Sequence, residues 1–236
     1  MMKPCAAILV GLATGALLLG ACGGGDGKPK VPSIDPADFQ AEVDNPFFPL
    51  ASLGPKVFEG EERDPETGEV IETRLESTVL PDTDVVAGVE VTVVEEKDYE
   101  DGELIESTLD YYAQHRDGSV YYFGERVDDY EGGEVVGHKG TWLAGEGENR
   151  PGIYMPARPE VGQKFEQEKA PGIAEDRSEI VAVEQEVTTP AGTFTGCIKT
   201  EDFAPLDNAT EFKYYCADVG LVLEEPLGGH LDLISY

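Results

Sequence analysis

The chain has 236 residues, and 48 Asp+Glu against 17 Lys+Arg give a formal net charge of −31. That charge excludes nucleic acid as a partner, because affinity for it comes from Lys and Arg neutralising phosphates, and it opposes docking on anionic lipid headgroups. Hydrophobic residues at 40% supply enough apolar surface for a core, so the acidity does not make the chain disordered.

In chain order, the first segment is not part of the fold. Lys3 precedes an apolar run from Ala6 to Leu19, broken by Gly11, Thr14 and Gly15. It is too short for a bilayer-spanning helix of about 20 residues. Leu19-Gly20-Ala21-Cys22 follows and resembles the lipobox of bacterial lipoproteins: Leu, two small residues, then Cys. The resemblance implies a lipoprotein signal peptide over 1–21, cut before Cys22. It also implies a diacylglyceryl thioether on Cys22, acylation (palmitate or similar) of the new N-terminus, and a place in the cell envelope outside the cytoplasm. Acyl chains at about 0.8 kcal/mol per buried methylene would make the membrane anchor stable. Residues 22–44, opening with Cys22 and Gly23-Gly24-Gly25-Asp26-Gly27, read as the lipidated Cys and a flexible linker. Residues 45–236 then form a single β domain.

That domain reads as all-β. Val89, Val91 and Val93 alternate with Glu90 and Thr92, the period of a half-buried strand. Asp101-Gly102 and Asp117-Gly118 are hairpin signals, because such turns need positive φ. Strands are predicted near 56–62, 69–80, 88–99, 103–113 and 119–127. A second set is predicted near 163–169, 177–188, 193–203, 210–217 and 220–225. A connecting hairpin covers about 128–143, and a last strand 229–235.

The two sets share short matches in the same order. Leu53-Gly54-Pro55-Lys56-Val57-Phe58-Glu59 resembles Val161-Gly162-Gln163-Lys164-Phe165-Glu166, and Leu109-Asp110-Tyr111-Tyr112-Ala113 resembles Phe212-Lys213-Tyr214-Tyr215-Cys216. The expectation is a duplicated antiparallel meander, with repeats at about 53–127 and 161–225. It would form one curved sheet, a barrel or a two-sheet sandwich. Acidic residues alternate with apolar ones and are expected to coat the outer face.

Of four Cys, Cys5 leaves with the signal and Cys22 takes the lipid. Cys197 and Cys216 are an even pair in an exported domain, which points to a disulfide. They lie equally far from a hairpin turn near Leu206 to Asn208, so they can face each other across the ladder. Their counterparts in the first repeat are Val93 and Ala113. In the chain-entropy model such a loop contributes roughly 3 kcal/mol.

Catalytic signatures are missing. The three His (His115, His138, His230) have no second His at ligand spacing, and there is no GxSxG, HExxH, phosphate loop or GxGxxG. No catalytic residue, resident metal or cofactor is assigned. Asp98, Glu100, Asp101 and Glu103, or Asp128, Asp129 and Glu131, offer oxygen ligands at turns for weak divalent cation binding, without an EF-hand pattern. Aromatics are more suggestive. Tyr111-Tyr112, Tyr121-Tyr122 and Tyr214-Tyr215 put neighbouring rings on opposite sheet faces. Tyr112, Tyr122, Tyr215 and Trp142 are the candidate ligand-contacting rings. Asn45-Pro46-Phe47-Phe48-Pro49-Leu50 reads as an apolar cover over one end of the sheet, with a lid over a cavity as the alternative.

The runs NPFFPL, YYAQHRDGSVYYFGE, PGIYMPARPEVGQKF and YYCADVGLVLEE resemble a family of secreted and lipid-anchored acidic β proteins of bacteria, a resemblance that brings no activity with it. Three functions stand open. The first is a non-enzymatic, lipid-anchored extracytoplasmic protein that binds an apolar ligand or envelope component. The second is an acidic interaction or scaffold protein meeting a basic partner or divalent cations. The third is a hydrolase with a carboxylate pair about 5–9 Å apart.

Overall fold

The computed structural model describes residues 35–64 and 67–236. The signal peptide, Cys22 and residues 23–34 of the expected linker lie outside the described residues. The first half contributes β1 (Phe39–Gln40), β2 (Lys56–Arg63), β3 (Val70–Val79), β4 (Asp84–Val86), β5 (Val89–Glu100), β6 (Glu103–His115), β7 (Val120–Glu131), β8 (Glu134–Gly137) and β9 (Trp142–Leu143). Next come β10 (Arg150–Met155), β11 (Lys164–Glu166), β12 (Glu168–Lys169), β13 (Arg177–Thr189), β14 (Gly192–Ala204), β15 (Ala209–Cys216), β16 (Gly220–Pro226) and β17 (His230–Ser235). Alternation drives these assignments: in β5, Val89, Val91 and Val93 are buried while Glu90 is exposed. The turn between β5 and β6 uses Asp101 and Gly102, both at positive φ, the geometry that hairpin twist selects.

Pairing runs almost completely around the molecule. From β2 it passes to β3, β5, β6, β7 and β10. In the other direction it passes from β2 to β17, β16, β15, β14 and β13. The two arms meet at 164–169, where β11 pairs with β13 and β12 pairs with β10. Every pair is antiparallel, and the sheet is nearly closed into a barrel. Of the three all-β architectures open to the sequence, this is the barrel, which leaves few strand edges to protect. β2, β3, β5, β6 and β7 are consecutive neighbours in the wall, as are β11, β13, β14, β15 and β16.

Four details differ from expectation. First, β10 was not foreseen, because Pro151-Gly152 reads as a breaker. Pro is tolerated at the start of the strand, and Gly152 is required: a Cβ there would meet the Gln167 carbonyl oxygen at 2.0 Å. Second, the linker does not extend to 44. Phe39 stacks edge-on against His115, Tyr121 and Phe123, Val43 is wholly buried, and β1 pairs with β6. Two apolar side chains in a polar run are enough to dock it.

Third, Val93 and Ala113 are not cross-strand partners: Val93 faces Tyr111 and Ala113 faces Tyr121. The first hairpin is offset by two residues relative to the second, a shift that keeps every side chain on its face. Fourth, the acidic residues do not all coat the outside. Asp110 and Asp202 are buried, and further carboxylates line the interior described next.

Cys197 and Cys216 form a disulfide, with Cα atoms 4.0 Å apart. Their strands pair Ile198 with Tyr215 and Ala204 with Ala209, so the turn lies where the cysteine spacing put it. Asn45–Leu50 plugs one end of the barrel. Asn45 donates to the carbonyls of Gly118 and Pro156, and Phe48 packs on Tyr112 and Tyr154 at 5.0 and 4.7 Å.

Candidate functional site: a carboxylate-lined lumen

Alternating positions of the wall strands bring polar side chains inward. β5 contributes Glu96, β6 Asp110 and Tyr112, β7 Tyr122, β10 Tyr154, β12 Glu168, β14 Asp202, and β15 Glu211 and Lys213. With Gln167 and Asp176 they enclose a cavity of about 160 Å³. Six carboxylates thus meet one ammonium. A neighbouring cavity of about 310 Å³ shares Glu96 and Lys213 and adds Asp98, Glu106 and Glu224.

Lys213 is the internal counterion. It stands opposite Thr200 on one side and Glu224 on the other. Its Nζ lies 2.9 Å from Glu211 Oε1 and 3.8 Å from Glu224 Oε1. Burial works against its charge, but Glu211 and Glu224 outweigh it and hold the pKa well above the usual Lys value. Asp110 accepts from Thr108 Oγ1 at 2.6 Å and from the Tyr122 hydroxyl. Burial pushes its carboxyl up, and these two donors pull it partly back.

At the other acids burial outweighs what compensation they have. Burial first, then neighbouring carboxylates, push Glu125 up to about 9 and Asp98 to about 8. Burial and Asp176 push Glu168 up to about 7. Too many carboxylates share too little solvent for all to ionise. Asp202 is 5% exposed. Burial raises its pKa; Lys213 and the nearby hydroxyls of Ser178 and Thr200 oppose that rise. Both hydroxyls act on Asp202 as hydrogen-bond donors; Asp202 Oδ1, Ser178 Oγ and Thr200 Oγ1 are closed off from solvent.

The apolar part of the interior is nearly full. Phe48, Leu50, Leu53, Val79, Val94 and Tyr112 surround a cavity of only about 40 Å³. That is room for a few water molecules, against roughly 300–1,000 Å³ for drug-sized ligand sites.

The four candidate rings divide accordingly. Tyr112 and Tyr122 line the polar cavity, with rings stacked at 4.9 Å. Trp142 meets Tyr122 edge-on at 5.6 Å, and the Tyr215 hydroxyl donates to that of Tyr154 at 3.5 Å; neither Trp142 nor Tyr215 lines that cavity. Tyr154 was missed because its strand was missed. Lys213 and Asp110 were missed as inward charges, although the repeat matches placed each at the same point before a Tyr-Tyr pair.

The acidic turns lead elsewhere. Among the described residues, no three His, Cys, Asp or Glu side chains come together to hold a metal ion. Asp128 pairs with His138 Nδ1 at 2.9 Å, and Asp129 accepts from the Lys139 backbone N–H. Asp98 belongs to the lumen.

No family model matches the chain, and no curated protein matches it. Among solved structures it is similar to a protein from Parabacteroides distasonis ATCC 8503 described as a "putative lipoprotein". The two are 14% identical with a TM-score of 0.36, over 80% of this chain and 97% of that one. At that score the likeness carries no argument about this chain.

Proposed function

We propose that this chain is a non-enzymatic, lipid-anchored extracytoplasmic binding protein whose ligand enters the polar lumen of the barrel. The anchor is Cys22, within the lipobox at the end of the 1–21 signal peptide, and the Cys197–Cys216 disulfide supports an oxidising compartment. The observation that carries the ligand site is the cavity of about 160 Å³, walled by charged and aromatic side chains from both halves of the chain. A polar cavity in the interior costs stability, and that cost supports a binding role. The apolar cavity supports that role less, since about 40 Å³ leaves no room for an acyl chain.

The test is a thermal-shift panel of small cationic, neutral and anionic compounds against the full-length chain and Gln167→Trp, which enlarges a side chain of the cavity wall. At least one class is expected to raise the wild-type melting temperature and not that of the variant. No shift from any class would overturn the reading.

A further inference from the structure

We propose that the end of the barrel opposite the plug is a docking surface for a polypeptide that presents Lys or Arg side chains among apolar ones. This goes beyond the binding reading above and does not depend on what the lumen holds. β2 starts at Lys56, directly after the plug. Antiparallel order around the wall then fixes which connections lie at the far end. They include those between β2 and β3, β7 and β8, β12 and β13, β14 and β15, and β16 and β17.

Each of these five connections carries an exposed apolar side chain. Val70 opens β3, Val135 and Val136 follow the β7–β8 turn, and Ile173 lies between β12 and β13. Leu206 sits on the β14–β15 turn and Leu227 on the β16–β17 turn, the latter 95% exposed. Among the described residues nine large apolar side chains are exposed, and these are six of them. Single exposed apolar residues are ordinary on a surface, whereas a set gathered at one end marks an interaction site. A side chain as exposed as Leu227 adds nothing to the core, because apolar stabilisation scales with the area removed from water.

The acids between these tips decide the partner. The cavity of about 310 Å³ lies at this end, since its wall includes Glu62 and Glu100 from the ends of β2 and β5. Six carboxylates of that wall face Lys213 and Arg74, and both cations are already paired, Lys213 with Glu211 and Glu224 and Arg74 with Glu59 and Glu76. Asp101, Glu103, Glu131 and Glu134 extend the negative charge onto exposed turns. Apolar contacts would hold a partner, and the carboxylates would select a basic one. The plug, by contrast, has no charged residue from Asn45 to Pro55. A second copy would set one chain of net charge −31 against another, and a bilayer would strip water from the carboxylates between the tips.

The test is fluorescence anisotropy with the full-length chain in mild detergent, micelles alone serving as the blank. Three labelled peptides of equal length are compared: alternating Lys and Leu, alternating Lys and Ser, and alternating Glu and Leu. The Lys–Leu peptide is expected to bind at least about 10-fold tighter than either of the others. Leu206→Ser with Leu227→Ser is expected to weaken it by about 10-fold, the scale of burying a Leu side chain, and to leave the Lys–Ser peptide unchanged. Val85→Ser, an exposed position at the plug end, is expected to change nothing. All three replaced side chains are exposed, so the variants are expected to keep the wild-type melting temperature.

Equal binding of the Lys–Ser peptide would reduce the effect to diffuse attraction by the acidic exterior and overturn the inference. Equal binding of the Glu–Leu peptide would mark a rim that takes any apolar surface, a bilayer or a second copy included, and would overturn the basic assignment. Lys–Leu binding untouched by the double Leu variant, or weakened as much by Val85→Ser, would move the contact away from this end and overturn it as well. So would no binding of the Lys–Leu peptide to the wild type.

Discussion

Lys213 is a basic side chain set among acids, and its value lies in what its loss would expose. Replacing it with Met leaves Glu211 and Glu224 without their cation. The Lys213 and Glu211 side chains are 20% and 33% exposed, so losing the cation costs less than breaking a fully buried pair, about 1–3 kcal/mol. Lys213→Met is expected to lose that much in denaturant unfolding, whereas Lys164→Met, which breaks an exposed pair with Glu179, is expected to lose under about 1 kcal/mol. Equal losses would mean that Lys213 does not organise the lumen. This residue was only half legible. The sequence places Lys213 next to Tyr214-Tyr215 and so at a definite point in a strand, but alternation gives parity, not which face is inside. A charged side chain is assigned outward by default, and only closure of the sheet shows that Glu96, Asp110 and Lys213 converge.

At the scale of elements, alternation and turn chemistry were strong enough to locate most wall strands. β6 (Glu103–His115) and β14 (Gly192–Ala204) begin and end within about two residues of expectation. The β14–β15 register was readable because two cysteines equidistant from a turn leave little choice. β10 was not readable, since its second and third residues are a Pro and a Gly whose use depends on the neighbour they touch. Two outcomes follow from these elements. Cys197→Ala with Cys216→Ala is expected to lower stability by roughly 3 kcal/mol, measured by denaturant unfolding without reductant; no change would deny the crosslink a stabilising role. Gly152→Ala is expected to cost about 1–3 kcal/mol, because its Cβ would collide with Gln167 backbone. A neutral Gly152→Ala would show that β10 does not approach the Glu166 and Gln167 backbone so closely.

At the scale of the whole molecule, the buried acids set an unusual dependence on pH. Glu125, Asp98 and Glu168 have pKa values raised to about 9, 8 and 7, from ordinary values of 4.5, 3.8 and 4.5. Within each interval the folded chain holds a proton that the unfolded chain has released. The native state therefore binds more protons, and stability falls as pH rises. Lys213 stays charged throughout this range. Lys56, lowered to about 8 by burial against the pull of Glu96, favours folding only as pH climbs above that value. Relief of repulsion in a chain of net charge −31 acts in the same direction as the carboxyls. The melting temperature is expected to be higher at pH 5 than at pH 8.5 by about 5 °C or more; a flat or rising profile would contradict the raised carboxyl values.

The central claim is that the polar lumen holds a small ligand. Native mass spectrometry of the full-length chain, purified from its native host in mild detergent and compared with Gln167→Trp in the cavity wall, tests it most directly. The account expects a one-to-one adduct of small mass, below about 200 Da for a cavity of this size, present on the wild type and absent from the variant. A noncovalent adduct of lipid mass, or no adduct in either protein, would contradict it.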